Sequence, residues 1–147
     1  MNETRQTLNE LLVDLFNHIL LIEENNLRKR NVTLSMNEVH ILEAISKSGS
    51  KMMSAIAKAL MVTQGTLSVS TNRLVKKGYV SRVRDEKDRR IIRLVLSDSA
   101  QNVLEIHDSF HEEMIDKLIN VLKVDQDKEL LNSLRGVMQF FQDQYQI

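Results

Sequence analysis

Apolar residues recur at three- and four-residue spacing from the start of the chain. Leu8, Leu11, Leu12, Leu15, Phe16, Ile19, Ile22 and Leu27 fall on one face and predict an amphipathic helix from about Glu3 to Arg30. The stretch Asn31 to Leu34 breaks it. Ser35 then reads as an N-cap with Glu38 at the capping-box position, and Val39, Leu42 and Ile45 form the buried stripe of a second helix up to the Ser48-Gly49-Ser50 loop. Near the other end, Ser97 or Ser99 starts a long helix carrying Val103, Ile106, Phe110, Met114, Leu118, Val121 and Leu122. A last helix, about Gln126 to Gln144, has Leu130, Leu131, Leu134, Val137, Met138 and Phe141 as its stripe, which Tyr145 extends.

Between these long elements the pattern shortens. Met53 to Leu60 predicts a short helix with Ile56, Ala57 and Leu60 turned inward. Thr63 caps the next helix, which runs to Lys76 and Lys77, cations suited to a helix C-terminus, and Gly78 supplies the stop. Two β-like runs follow, Tyr79 to Val83 and Ile91 to Leu96, separated by the charged tip Asp85-Glu86-Lys87-Asp88-Arg89-Arg90. A short helix, a turn, a capped helix and a charged hairpin form a winged helix-turn-helix. The expected fold is therefore mainly α, an α+β winged helix-turn-helix on a helical platform. Residues 1–147 read as a single domain, with 35–97 as the winged lobe and 1–34 and 98–147 as dimerisation helices.

Composition supports that division. The chain has no proline and four glycines, which suits helices joined by short connections. It has no cysteine, which removes disulfides and thiolate chemistry. Neither a signal peptide nor an 18-residue apolar run is present in the pattern, so no membrane association and a cytoplasmic location are expected. The long apolar stripes at the two ends exceed what a small winged lobe needs for its own core, and a second copy of the chain would cover the surplus.

The formal net charge of zero hides an uneven distribution. From Arg73 to Arg93 there are nine basic residues against three acidic ones, a local excess of +6, so the rest of the chain carries −6. Such asymmetry is the footprint of one face meeting phosphate. On the second short helix Leu67, Thr71, Leu74 and Val75 lie toward the body, while Gln64, Thr66, Ser68, Val69 and Asn72 point outward beside the capping Thr63. Glutamine pairs with adenine edges, serine and threonine reach bases or phosphates, and Val69 can meet a thymine methyl. Arg73, Lys76 and Lys77 are expected to hold phosphate. At the hairpin tip Asp88 can orient Arg90, with Lys87 or Arg89 free to enter a minor groove.

The runs Met61-Val62-Thr63-Gln64-Gly65-Thr66, Asn72 to Val80 and Asp85 to Arg90 resemble the MarR family of transcriptional regulators, in the same order of helices over nearly the whole chain. Within that family, Leu15 to Arg28, Glu38-Val39-His40 and Phe110 to Met114 look like the fatty-acid-biosynthesis repressors. The resemblance implies a homodimer on palindromic double-stranded operator DNA, with acyl groups on acyl carrier protein as co-repressor and no resident cofactor required. It also implies an acyl pocket between the dimer helices and the DNA-binding lobe, for which His40, His107, Phe110 and His111 are the candidate residues.

The histidines admit a second reading. His107 and His111 are four apart, hence on one helical face, and His40 and Glu24 lie on helices expected to pack nearby. Three imidazoles and a carboxylate would complete a tetrahedral zinc shell at Glu24, His40, His107 and His111. The alternative to fatty-acid control is thus a zinc-responsive repressor. Catalysis has little to stand on: His111 to Ile115 mimics a zinc-protease helix, but Ile115 occupies the second histidine position, and no phosphate loop or nucleophile elbow occurs.

Overall fold

The computed structural model describes residues 2–147, which form seven α-helices and one β-hairpin. Helix α1 (Glu3–Asn9) begins where the Asn2 side chain accepts a hydrogen bond from the Arg5 N–H at 2.8 Å. The first helix is not uniform as the periodicity predicts. A π-helical segment, Glu10–Leu15, lies between α1 and α2 (Phe16–Arg28). Widening to the i→i+5 pattern inserts an extra residue per turn, which rotates the apolar stripe between the two halves. Asn31, in the left-handed region at φ 61°, ends the run, with Val32 N–H donating back to Leu27.

Helix α3 (Met36–Lys47) has the capping box its sequence predicts. Ser35 Oγ accepts from the Glu38 N–H and Glu38 Oε1 accepts from the Ser35 N–H, both at 3.2 Å. Lys51 closes its far end by donating to the carbonyls of Ile45 and Ser46. Helices α4 (Met53–Ala59) and α5 (Gln64–Lys76) form the helix-turn-helix. Thr63 Oγ1 caps α5 through the Thr66 N–H at 3.1 Å.

Gly78 at φ 82° terminates α5, with its N–H on Val75 and the Tyr79 N–H on Leu74. That cap uses the Tyr79 donor, so β1 is Val80–Arg84 and begins one residue later than its apolar run. Strand β2 (Ile92–Leu96) pairs antiparallel with it, from Val80 opposite Leu96 to Arg84 opposite Ile92. Met52 adds a single bridge to Arg93 at the hairpin's edge.

Helix α6 (Asp98–Leu122) starts after Ser97, whose Oγ accepts from the Ala100 N–H. A 3₁₀ turn (Val124–Gln126) leads to α7 (Lys128–Tyr145), capped by Asp127.

Two compact units result, one ending at Asp108 and one comprising Ser109–Ile147. The first has a continuous core: Leu27, Val39, Leu42, Ile45, Ile56, Leu67, Leu74 and Leu94 are all essentially inaccessible. Each such side chain contributes about 1.5–3 kcal/mol by leaving water. The second unit differs, since α7 buries none of its residues and leaves Leu130, Leu134 and Met138 exposed. No helix among the described residues is long and apolar enough to cross a membrane.

Candidate nucleic-acid interface

Helix α5 presents two distinct faces. Leu67, Thr71 and Leu74 are buried, fixing one side against the core. Gln64, Thr66, Val69, Asn72 and Arg73 are exposed, and Ser68 is half-buried. Val69, at 58% exposure, is an apolar side chain on an otherwise polar face, as a thymine-methyl contact requires. Thr63, at the cap, has its hydroxyl engaged with both the Thr66 N–H and the Thr66 hydroxyl. It holds the helix end as much as it offers a contact. Thr71 Oγ1 is buried without a hydrogen-bond partner.

The cations of the winged lobe divide into structural and available groups. Lys77 donates to both carboxylate oxygens of Glu38, at 3.1 and 3.2 Å, and approaches the Thr33 carbonyl. It therefore ties the end of α5 to the start of α3, a partner that its sequence reading as a phosphate contact did not include. Burial pushes the Glu38 carboxyl up, but hydrogen bonds from Lys77 and Ser35 outweigh it and hold the group below its ordinary value. Arg82 donates from β1 to the Ser68 carbonyl at 3.0 Å, joining the hairpin to the reading helix. Arg93 bridges the Ser50 carbonyl and Asp85, and Arg84 donates to the Arg89 carbonyl across the hairpin tip.

Those four are committed within the lobe. Among the described residues the side chains of Arg73, Lys76, Lys87 and Arg89 make no intramolecular hydrogen bond or ion pair, and all four residues are exposed. Arg90 has an intermediate status. Its Nε and Nη2 donate to the two Asp88 oxygens, each at 3.0 Å, which aims the guanidinium while the side chain stays 91% exposed. The side-chain bonds from Arg90 and then its N–H hold the Asp88 carboxyl below its ordinary value. Asp85 is lowered by the Asp88 N–H and by Arg93. Both carboxylates serve the hairpin's geometry, and three backbone N–H groups close its tip on them: Lys87 and Asp88 on Asp85, Arg90 on Asp88.

The histidine residues are arranged differently from the four-ligand set. Glu24 is turned to Arg28 at 3.7 Å, a surface pair within α2. The carboxylate that α2 brings near His107 is Glu23 instead, because residue 23 is on the buried side of that helix. Glu23 and His107, each only 3% exposed, offer ligand atoms within 4.8 Å of one another. His107 Nε2 is 2.7 Å from Glu43 Oε1, a partner on α3 that sequence spacing did not single out. The hydrogen bond to Glu43 raises the His107 pKa against the opposing effect of burial, and the same bond lowers Glu43.

His40 is half-buried one turn before Glu43 on α3, and its charge also favours the Glu43 carboxylate. His111 follows His107 by one turn of α6 and meets the Phe110 ring edge-on, with centroids 6.3 Å apart. The zinc shell as read from spacing does not fit without change, since Glu24 belongs to another pair and His107 Nε2 already faces a carboxylate.

Comparison with known proteins agrees with this geometry. The family model for the MarR family matches residues 34–92, the whole of the helix-turn-helix and most of the hairpin. The crystal structure of Streptococcus pneumoniae FabT in complex with DNA matches with a TM-score of 0.85 and 37% identity, covering 95% of this chain and 98% of that one. The chain belongs to the MarR family. As a MarR-family protein it is a DNA-binding transcriptional regulator, and its relatives are regulators rather than enzymes.

The HTH-type transcriptional regulator YpoP of Bacillus subtilis is 36% identical over 72 residues, which are 49% of this chain and about half (51%) of that relative's length. The Staphylococcus aureus MepR–DNA complex shares the fold, with a TM-score of 0.72 at 20% identity over 91% of this chain and 97% of that one.

Proposed function

We propose that this MarR-family regulator is a homodimeric repressor of fatty-acid biosynthesis genes, with long-chain acyl groups on acyl carrier protein as co-repressor. The observation that carries the reading is the likeness to pneumococcal FabT over nearly the full length of both chains. The dimer is supported within each unit by uncovered apolar side chains: Leu8, Leu11, Leu12 and Phe16 in the first, Leu118, Leu134 and Met138 in the second. A second copy is the natural cover for such surfaces.

In this reading α5 enters the major groove of each half-site of a palindrome, and Lys87, Arg89 and Arg90 reach the adjacent minor groove. The effector acts by favouring one spacing of the two lobes, which requires that it bind that state more tightly. His40, His107, Phe110 and His111 are the residues proposed to respond to it. The buried His107–Glu43 bond links α6 to α3, the helix packed beside the reading unit, and so offers a route between them.

The test is a binding titration on duplex DNA selected from a random pool by the full chain. Adding long-chain acyl carrier protein is expected to tighten binding, while unacylated carrier protein and zinc leave it unchanged. No response to the acylated form, together with a response to micromolar zinc, would replace this reading by metal control.

A further inference from the structure

A cleft of about 200 Å³ opens where the three elements of the reading lobe meet. Ser54, beside Met52 and Met53, forms one wall, Gln64 of α5 a second, and Arg90 with Ile91 and Ile92 of the returning hairpin the third. The rim is polar and the floor apolar: Ser54, Gln64 and Arg90 are exposed, whereas Met53 is buried and the isoleucines half-buried. No acidic residue lines it among those described.

The position of this cleft is constrained by the shape of a duplex. A major groove and its neighbouring minor groove are separated by one sugar–phosphate strand. A helix start in the first and a hairpin cation in the second therefore straddle that strand, which must cross the protein surface between them. Gln64 stands on one edge of the cleft and Arg90 on the other.

The donors suit an anion. Asp88 occupies Arg90 Nε and one Nη2 position, leaving three guanidinium hydrogens to give. The Ser54 hydroxyl makes no intramolecular hydrogen bond among the described residues, so it is available. Met53 and the two isoleucines match the carbon face of a deoxyribose.

We propose that the cleft seats one backbone phosphate and its sugar, and that Ser54 donates its hydroxyl to that phosphate. The inference rests on the DNA-binding reading and adds a contact to it. A phosphate held there fixes how far α5 and the hairpin tip enter their grooves, so Ser54 positions both readers without reading sequence itself.

The experiment uses the full chain and a duplex it selects from a random pool, scanned with a single neutral methylphosphonate at each phosphate in turn. Ser54→Ala is expected to weaken binding about tenfold on selected and random duplexes alike, as befits a hydrogen bond to a charged group. Because serine carries no charge, the slope of log affinity against log salt stays unchanged. One methylphosphonate per half-site weakens the wild type by at least as much, since it also removes the charge facing Arg90, and costs Ser54→Ala less than it costs the wild type, while Ser54→Thr retains wild-type affinity.

Wild-type affinity in Ser54→Ala, or methylphosphonate losses that add to it at every position, would overturn the contact while leaving the DNA-binding reading intact. Failure of the wild type to select any duplex would remove both. Inorganic phosphate that displaces the selected duplex from the wild type more strongly than sodium chloride of equal ionic strength would assign the cleft to a free anion and overturn the proposal.

Discussion

Side chains that look alike in sequence do different work once their partners are known. Lys76 and Lys77 are adjacent, yet only Lys77 is bound to Glu38, and Lys76 is left to solvent or phosphate. Arg90, aimed by Asp88, acts as a positioned cation, whereas Gln64 offers an amide that discriminates bases. Arg90→Ala is therefore expected to weaken all duplexes by a similar factor. Gln64→Ala should mainly relax sequence preference, by about 1–3 kcal/mol of discrimination. Fluorescence anisotropy on selected and random duplexes separates the two, and equal losses on both duplexes for both variants would refute the division.

The His107–Glu43 pair makes a pH prediction at the same scale. His107 is raised above the ordinary imidazole value of about 6.5, so its contribution to stability is complete below that value and is lost as pH rises through the raised one. Glu43 is lowered below the ordinary glutamate value of about 4.3, so its contribution is present above that value and is lost as pH falls through the lowered one. The pair thus stabilises most between about pH 4.3 and 6.5. Urea unfolding is expected to show a larger gap between wild type and Glu43→Gln in that window than at alkaline pH; a gap independent of pH would count against the ion pair.

At the scale of elements, the turn of the helix-turn-helix carries local strain. Met61 sits at φ 58°, with its N–H on Lys58 and the Val62 N–H on Ala57, the arrangement glycine adopts without penalty. Its side chain is 68% exposed and contributes little packing. Met61→Gly is expected to stabilise the fold by about 1 kcal/mol, read as a higher urea midpoint at unchanged slope. A lower midpoint would mean that the methionine makes contacts the conformation hides. The hairpin and α5 are joined by the Arg82 bond to Ser68, which ties the wing to the reading helix.

For the whole molecule the exposed apolar faces dominate. The α7 helix buries nothing in the single chain although Leu130, Leu134 and Met138 lie along one stripe. Leu134→Glu combined with Met138→Glu is expected to convert the proposed dimer into a monomer in sedimentation. Operator affinity should fall by orders of magnitude, because two linked readers gain from effective concentration and one does not. A wild type that sediments as a monomer while binding its selected duplex tightly would contradict this arrangement. Operator binding should also weaken steeply with salt, since several phosphates are neutralised at once.

Much of this protein was legible before folding is considered. Local signals such as the Ser35–Glu38 capping box, the Thr63 cap, Gly78 and the alternation in the hairpin depend on neighbours within a few residues, and they placed the helix-turn-helix and its wing. The fates of Lys77, Arg82, Arg93 and Glu43 depend on groups 8 to 64 positions away in the chain, and periodicity carries no information about such partners. Which of Glu23 and Glu24 faces the core turned on the rotation of α2 against its neighbours, a difference of one position that spacing alone did not settle. Sequence determined the elements and the sign of the reading face, because those follow from local propensity and composition. Tertiary structure decided which charges remain free to meet DNA, because that depends on what each side chain finds across the fold.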